Sequence, residues 1–305
     1  MAKLPGQQEL KHGSSPILIP GLLPEMKLAF VREKERAIVL APAESNACVG
    51  CDETEKSCNK VRMRSMCGRY AQSLGAEELV ESFDLAGSTL DQSLPLNWNI
   101  APTNEIYIIR SESDSRILDS ASWGIIAPWQ KSLVDARASQ SHAINARSES
   151  IHEKPTFRHA FRTSRCLIPA TGYYEWATSL GKYSPKQPFY ISREDGDQLS
   201  IAGIWSSWQS EKGVVIQSAA IITREAVGEL ATIHSRMPVF MPRDRWQGWL
   251  DTEARDINRL VKLMDVAQPD AGLVARPVSS RVNVVANNGP ELITPIELGE
   301  PETLF

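Results

Sequence analysis

From residue 67 onward the chain breaks into short alternating or apolar runs that suit strands, with a few helical stretches between them. In residues 76–83, Leu79, Val80 and Phe83 share one helical face, and Glu77 and Glu78 occupy the first turn, where the helix dipole favours negative charge. This predicts a helix. Residues 106–110 and 118–126 predict strands, as do 187–192, 200–208 and 218–223. Residues 226–232 predict a short helix, and 242–250 and 253–264 predict two consecutive ones, the first with Trp246 and Trp249 on one side. Residues 272–296 predict short strands, with a turn at Asn287-Asn288-Gly289-Pro290. Many short strands mixed with helices, without βαβ alternation, predict an α+β fold. The expectation is one compact domain over 67–305, an antiparallel, barrel-like sheet core flanked by helices, with no internal repeat.

Residues 1–66 differ. They are rich in Pro, Gly, Ser and Lys and carry little periodicity, so a disordered extension, or a segment missing from the mature protein, is expected there. The apolar run 17–31 is interrupted by Pro20 and Pro24 and lacks a small-residue cleavage site, which argues against a signal peptide. No stretch reaches the roughly 18–20 apolar residues of a membrane span. Five Cys, an odd number, argue against a secreted disulfide scaffold and for a reducing, cytoplasmic setting. Cys48, Cys51 and Cys58 form only one tight pair where zinc sites show two, so neither metal nor cofactor is expected.

Charge narrows the function classes. The chain carries a net −4, and from Cys67 onward Lys and Arg number 23 against 29 Asp and Glu. That argues against a sequence-independent nucleic-acid coat, which usually shows a strong basic excess. Any DNA contact must rest on a local basic cleft.

Four motifs carry the chemistry: Met66-Cys67-Gly68-Arg69-Tyr70, Ile144-Asn145-Ala146-Arg147, Gly172-Tyr173-Tyr174-Glu175-Trp176 and Ile233-His234-Ser235-Arg236-Met237-Pro238. In this order and with these flanks the chain resembles the SRAP family, from Met66 to about Glu297. Asn99-Ile100-Ala101-Pro102-Thr103, Lys154-Pro155-Thr156-Phe157-Arg158, Arg165-Cys166-Leu167-Ile168-Pro169-Ala170 and Pro277-Val278-Ser279 add to the likeness. The resemblance implies a cofactor-free domain that cross-links itself to abasic sites in single-stranded DNA, reversibly, and acts without a membrane or metal, as a monomer. It also implies that the Cys is the N-terminal residue.

An N-terminal Cys has an α-amine with a reference pKa of about 7.7–8, so much of it is a neutral nucleophile near pH 7. The amine condenses with the C1′ aldehyde of an abasic site, and the nearby thiol closes a thiazolidine intramolecularly. An internal Cys67 offers only a labile thiohemiacetal. Glu175, among aromatic neighbours, suits proton transfer, and the resemblance makes it the acid–base residue. His234 suits the proton relay that opens the closed sugar. Asn145 suits holding the sugar hydroxyl or the amine. Arg69, Arg147 and Arg236 are candidate phosphate clamps, and Trp129 a base-stacking wedge. Asn99 and Pro102 complete the DNA-binding set by shaping the pocket around Cys67. His12, His142, His152 and His159 show no ligand spacing and are expected to be structural.

Three accounts of residues 1–66 follow: translation that starts at Met66, a leader cut before Cys67, or an extension that is retained and blocks the amine. Two other functions compete with the cross-linker: a thiol peptidase that removes its own leader before Cys67, and a non-covalent reader of single-strand junctions.

Overall fold

The computed structural model describes residues 67–113, 115–178 and 183–298. The expected extension, with Cys48, Cys51, Cys58 and His12, lies outside the described residues.

Five strands close on themselves. Val215–Glu225 pairs with Leu199–Gln209, which pairs with Arg165–Ala170; Glu105–Glu112 follows, then Ser115–Trp123. A parallel contact of Ser122 with Ser218 and Trp123 with Ala219 joins the last strand to the first. The barrel has a hand-over at each strand: Ile106 and Ile108 point to one side with Cys166, Ile168, Ile201 and Ile221, while Tyr107 and Ile109 point to the other with Leu167, Ile204 and Ile222. This is the two-residue period of β-structure with both faces buried.

The two faces receive different covers. A second, five-stranded sheet (Leu273–Pro277, Pro188–Arg193, Gly172–Trp176, Tyr70–Gln72, Asn97–Ile100) lays Tyr70, Tyr173, Phe189 and Ile191 on the first. Helices cover the second: Ala76–Ser82, Arg158–Thr163, Trp246–Leu250 and Ile257–Met264 contribute Leu79, Phe161, Trp249 and Leu260. The described residues form one α+β domain, as the sequence pattern implies. No helix among them is long and apolar enough to cross a membrane.

Several boundaries differ from expectation. The strand expected to reach residue 126 ends at Trp123, because Gly124 takes φ +123° with the Gln140 carbonyl packed where a Cβ would stand. The helix expected at 226–232 is a 3-10 turn, Gly228–Thr232. The helix expected from 242 begins as a 3-10 turn at Arg243–Arg245, and the one from 253 waits for the Asp256 cap, whose carboxylate accepts from Arg259 N–H at 2.7 Å. Of the strands expected over 272–296, only Leu273–Pro277 forms. Ser280–Asn283 and Pro290–Ile293 are 3-10 turns, since Ser-Ser and Gly-Pro punctuate the run.

The turn into Gly172–Trp176 has no room for a side chain: a Cβ on Gly172 would enter the Tyr190 ring. Gly172→Ala is expected to destabilise the domain by about 1–3 kcal/mol, read by denaturant unfolding. An unchanged midpoint would show that Tyr190 moves aside freely.

Candidate active site

The site forms where the small sheet meets the barrel. Tyr70 pairs with Tyr173 and Ala71 with Gly172, in antiparallel register, and Tyr174 N–H donates to Arg69 O. Along Gly172–Trp176, Tyr174 faces outward to Tyr190 and Val282, so Tyr173 and Glu175 face the barrel. The register therefore brings Glu175 to the chain just before Tyr70–Gln72. There the Cys67 backbone N–H donates to Glu175 Oε1 at 2.7 Å. Cys67 itself sits at φ +41°, a left-handed conformation that costs a side-chain-bearing residue about 1–3 kcal/mol.

Cys67 and Glu175 are each only 3% exposed. Burial pushes the Glu175 carboxyl above its ordinary range, against the opposing pull of His234 and of the bonds from Cys67. Burial likewise pushes the Cys67 thiol well up, and the neighbouring Glu175 charge pushes further. Tyr173 is a neighbour that motif reading passed over. Its hydroxyl is raised by burial and then by the charges of Cys67 and Glu175, which places the phenol beside both.

His234 enters from the loop between Gly228–Thr232 and the strand Arg236–Pro238. Its Nδ1 lies 3.9 Å from Glu175 Oε2, beyond hydrogen-bond reach, and accepts the Arg236 N–H at 3.1 Å. The same Nδ1 lies 3.4 Å from Arg236 O, so the Arg236 backbone holds the ring from both its N–H and its carbonyl. Asn145 opens the strand Asn145–Arg147, which pairs in parallel with residues 221–223, and its Nδ2 reaches Cys67 O at 3.5 Å. The four residues read from the motifs as Cys, Asn, Glu and His thus converge on one point.

The remaining candidates divide. Arg69 Nη1 donates to Asn99 Oδ1 at 2.6 Å and Val282 O at 2.8 Å, and its guanidinium lies 5.9 Å from the centre of the Trp176 ring. Asn99 is 1% exposed and gives its amide protons to the carbonyls of Val284 and Asn287 at 3.0 and 2.9 Å, so it braces the 282–287 loop rather than facing a ligand. Pro102 is half-buried and opens a turn in which Thr103 N–H donates to Trp123 O at 2.8 Å; Trp123 Nε1 in turn holds Ile144 O, next to Asn145, at 3.0 Å. Trp129 is 53% exposed, which disposes of core packing as its role. Arg147 is exposed, and among the described residues it makes no ion pair.

Arg236 is placed differently from a phosphate clamp. Its Nη1 and Nη2 grip Glu149 at 2.6 and 2.9 Å, and Nη2 also donates to Thr223 O at 2.8 Å. The fork is buried and engaged, and its backbone N–H is the group that fixes His234. Glu149, two residues beyond Arg147, is the member of this chain that only the structure assigns. Among the described residues no three His, Cys, Asp or Glu side chains gather as metal ligands.

The SOS response associated peptidase (SRAP) family model matches residues 66–285. The chain belongs to the SRAP family. It is 33% identical over 233 residues to abasic site processing protein YoqW of Bacillus subtilis (strain 168), covering 75% of this chain and 99% of that protein. It is 28% identical over 278 residues to abasic site processing protein HMCES of Gallus gallus, covering 78% of this chain and 80% of that one. The similarity to abasic site processing protein YedK of Escherichia coli (strain K12) is 27% over 237 residues, 76% of this chain and all of the other. A crystal structure of a protein from Bacteroides thetaiotaomicron superposes with a TM-score of 0.67 at 23% identity, over 76% of this chain and 100% of that one, a likeness of fold alone. All four convergent residues and the Glu149–Arg236 pair lie inside the span matched by the SRAP model.

Proposed function

We propose that this SRAP protein processes abasic sites in single-stranded DNA by covalent capture, through a thiazolidine on Cys67 freed as the chain's N-terminal residue. The observation that carries this reading is the 2.7 Å bond from the residue-67 nitrogen to a buried carboxylate 108 positions away. Cys67 is buried with the core, so burial alone does not decide its role; the partner of its nitrogen does. Here the nitrogen is delivered to an acid–base group. The names of the relatives, abasic site processing proteins, point the same way.

The chemistry follows from the placement. His234, held by the Arg236 backbone, relays a proton as the closed sugar opens to the aldehyde. Glu175 accepts a proton from the α-ammonium; the neutral amine attacks C1′ and expels the oxygen as water, Glu175 returning the proton. Burial disfavours the thiolate, which favours the amine as the first nucleophile. The S–H then adds across C=N, sulfur to carbon and hydrogen to nitrogen, and closes the ring. Asn145, through the Cys67 carbonyl, holds the nucleophile in line. Arg147 supplies an exposed cation for phosphate, and Trp129 an exposed face on which a base stacks. Arg236 acts by fixing His234.

The test is intact mass and N-terminal sequencing of protein from its native host, followed by incubation with abasic single-stranded DNA. A chain beginning Cys-Gly-Arg-Tyr that gains the mass of the DNA less one water supports the reading. A chain that keeps residues before Cys67 and still forms a heat-stable adduct defeats it.

One observation also favours a second reading. The nitrogen held by Glu175 is the leaving group that cleavage of the bond before Cys67 would require, which supports a role for the same carboxyl in protonating it during a self-processing peptidase step. A Glu175→Gln chain that retains its leader while the parent loses it would establish that step.

His234→Ala is expected to slow adduct formation on abasic DNA by about 10²-fold, the typical worth of a positioned proton-transfer group. The loss should largely vanish on an acyclic aldehyde analogue, which needs no ring opening. Equal losses on both substrates would remove His234 from the opening step.

A further inference from the structure

With a net charge of −4, the protein has little general attraction for a polyanion, so cations that serve DNA must be gathered locally. One arc gathers them. Between Arg147 and Arg162 the sequence places four Lys or Arg, two His and two Glu. Glu149 is occupied by Arg236, and Glu153 stands 3.6 Å from His152. Arg147, Lys154, Arg158, His159 and Arg162 are all exposed, and His152, Arg158, His159 and Arg162 converge on one hollow together with Glu153. The helix Arg158–Thr163 explains the arrangement: Ala160 and Phe161 go into the core, which leaves Arg158 and Arg162, one turn apart, toward solvent.

The hollow is tied to the active site by successive tight turns. Ser150 N–H donates to Arg147 O, Lys154 N–H to Ser150 O, and Arg158 N–H to Lys154 O. Each step advances the chain by less than about 7 Å, so Arg158 lies within roughly 20 Å of Arg147. That distance is at most about six nucleotides along a stacked strand. A strand whose phosphate meets Arg147 therefore has the hollow within reach of its next few phosphates.

We propose that the 147–162 arc extends the DNA-binding surface beyond the lesion and takes the phosphodiester backbone of the flanking nucleotides. The proposal rests on the abasic-DNA reading above. Its occupants are phosphates, not bases: the arc offers charge and hydrogen-bond donors without an exposed aromatic side chain, so it contributes affinity and salt dependence rather than sequence preference.

The experiment compares Arg158→Gln/Arg162→Gln with the parent, both as the full chain carrying the same N-terminus. The substrates are an abasic oligonucleotide of about five nucleotides and one of about 25, spanning the usual range of single-strand site sizes. On the long substrate the double variant should need about tenfold more DNA for half-maximal adduct rate, and its log–log salt slope should fall by about 1.4, two phosphates' worth. On the short substrate, variant and parent should coincide. Unchanged affinity and slope on the long substrate would overturn the proposal. So would an equal loss on both substrates, because the arginines would then be acting through the site or the fold. A parent that forms no adduct with either DNA would instead fail the underlying reading, and this proposal with it.

Discussion

Cys67→Ala, purified with residue 67 as its first residue, is expected to form no heat-stable adduct with abasic single-stranded DNA. The loss should be complete rather than graded. The variant keeps an α-amine at the position held by Glu175, so imine formation survives and borohydride should still trap an adduct. What disappears is the sulfur that closes the ring. An imine hydrolyses on heating, whereas reopening a thiazolidine requires expulsion of sulfur first. Trapped but heat-labile adduct is therefore the expected signature. Heat-stable adduct at the parent's yield would show that the linkage does not pass through this thiol.

Glu175→Gln is expected to slow cross-linking by about 10²-fold or more, since a single positioned acid–base group contributes on that scale. Gln keeps an oxygen to accept from the Cys67 nitrogen, so position is preserved and only proton transfer is lost. The pH dependence carries a sign. Burial raises the carboxyl pKa in the fold above the ordinary value of about 4.3. Its contribution to stability is thus fully present below the unfolded value and is lost as pH rises through the folded one. At neutral pH the parent bears the cost of a buried charge that Gln does not. The variant should therefore be more stable than the parent near pH 7, by about 1 kcal/mol, while less active. The gain should shrink at acidic pH, where both side chains are neutral. An unchanged cross-linking rate would take Glu175 out of the chemistry, and a lower melting temperature at neutral pH would contradict its burial as a charged group.

The barrel strands were legible because apolar runs such as Ile106 to Ile109 announce a ribbon buried on both faces. The two strands that build the site were not. Tyr70–Gln72 is buried throughout, and only Trp176 in Gly172–Trp176 is partly exposed, so neither shows alternation; both stood out as motifs instead. Leu133–Gln140 escaped because it buries only Ala136 and Gln140 and leaves Val134 in solvent. Arg158–Thr163 is six residues long, too short for a helical period to declare itself. At the site, Cys67, Asn145, Glu175 and His234 were identified by their flanks, and the structure adds how they meet. The Glu149–Arg236 grip could not be read from sequence, because a contact across 87 positions leaves no local mark. Asn99 was expected to shape the pocket around Cys67, and the partners that let it do so, the backbone carbonyls of Val284 and Asn287, were equally unreadable.

Those carbonyls belong to the far end of the domain. Arg69 and Asn99 both anchor on Val282, and Asn99 goes on to Val284 and Asn287, so residues close to Cys67 are clasped by the 282–287 loop. The segment that carries Arg69 therefore docks in full only after residues 282–287 have been made. Contacts across 183 to 213 positions thus tie the final seating of this segment to the completion of the fold.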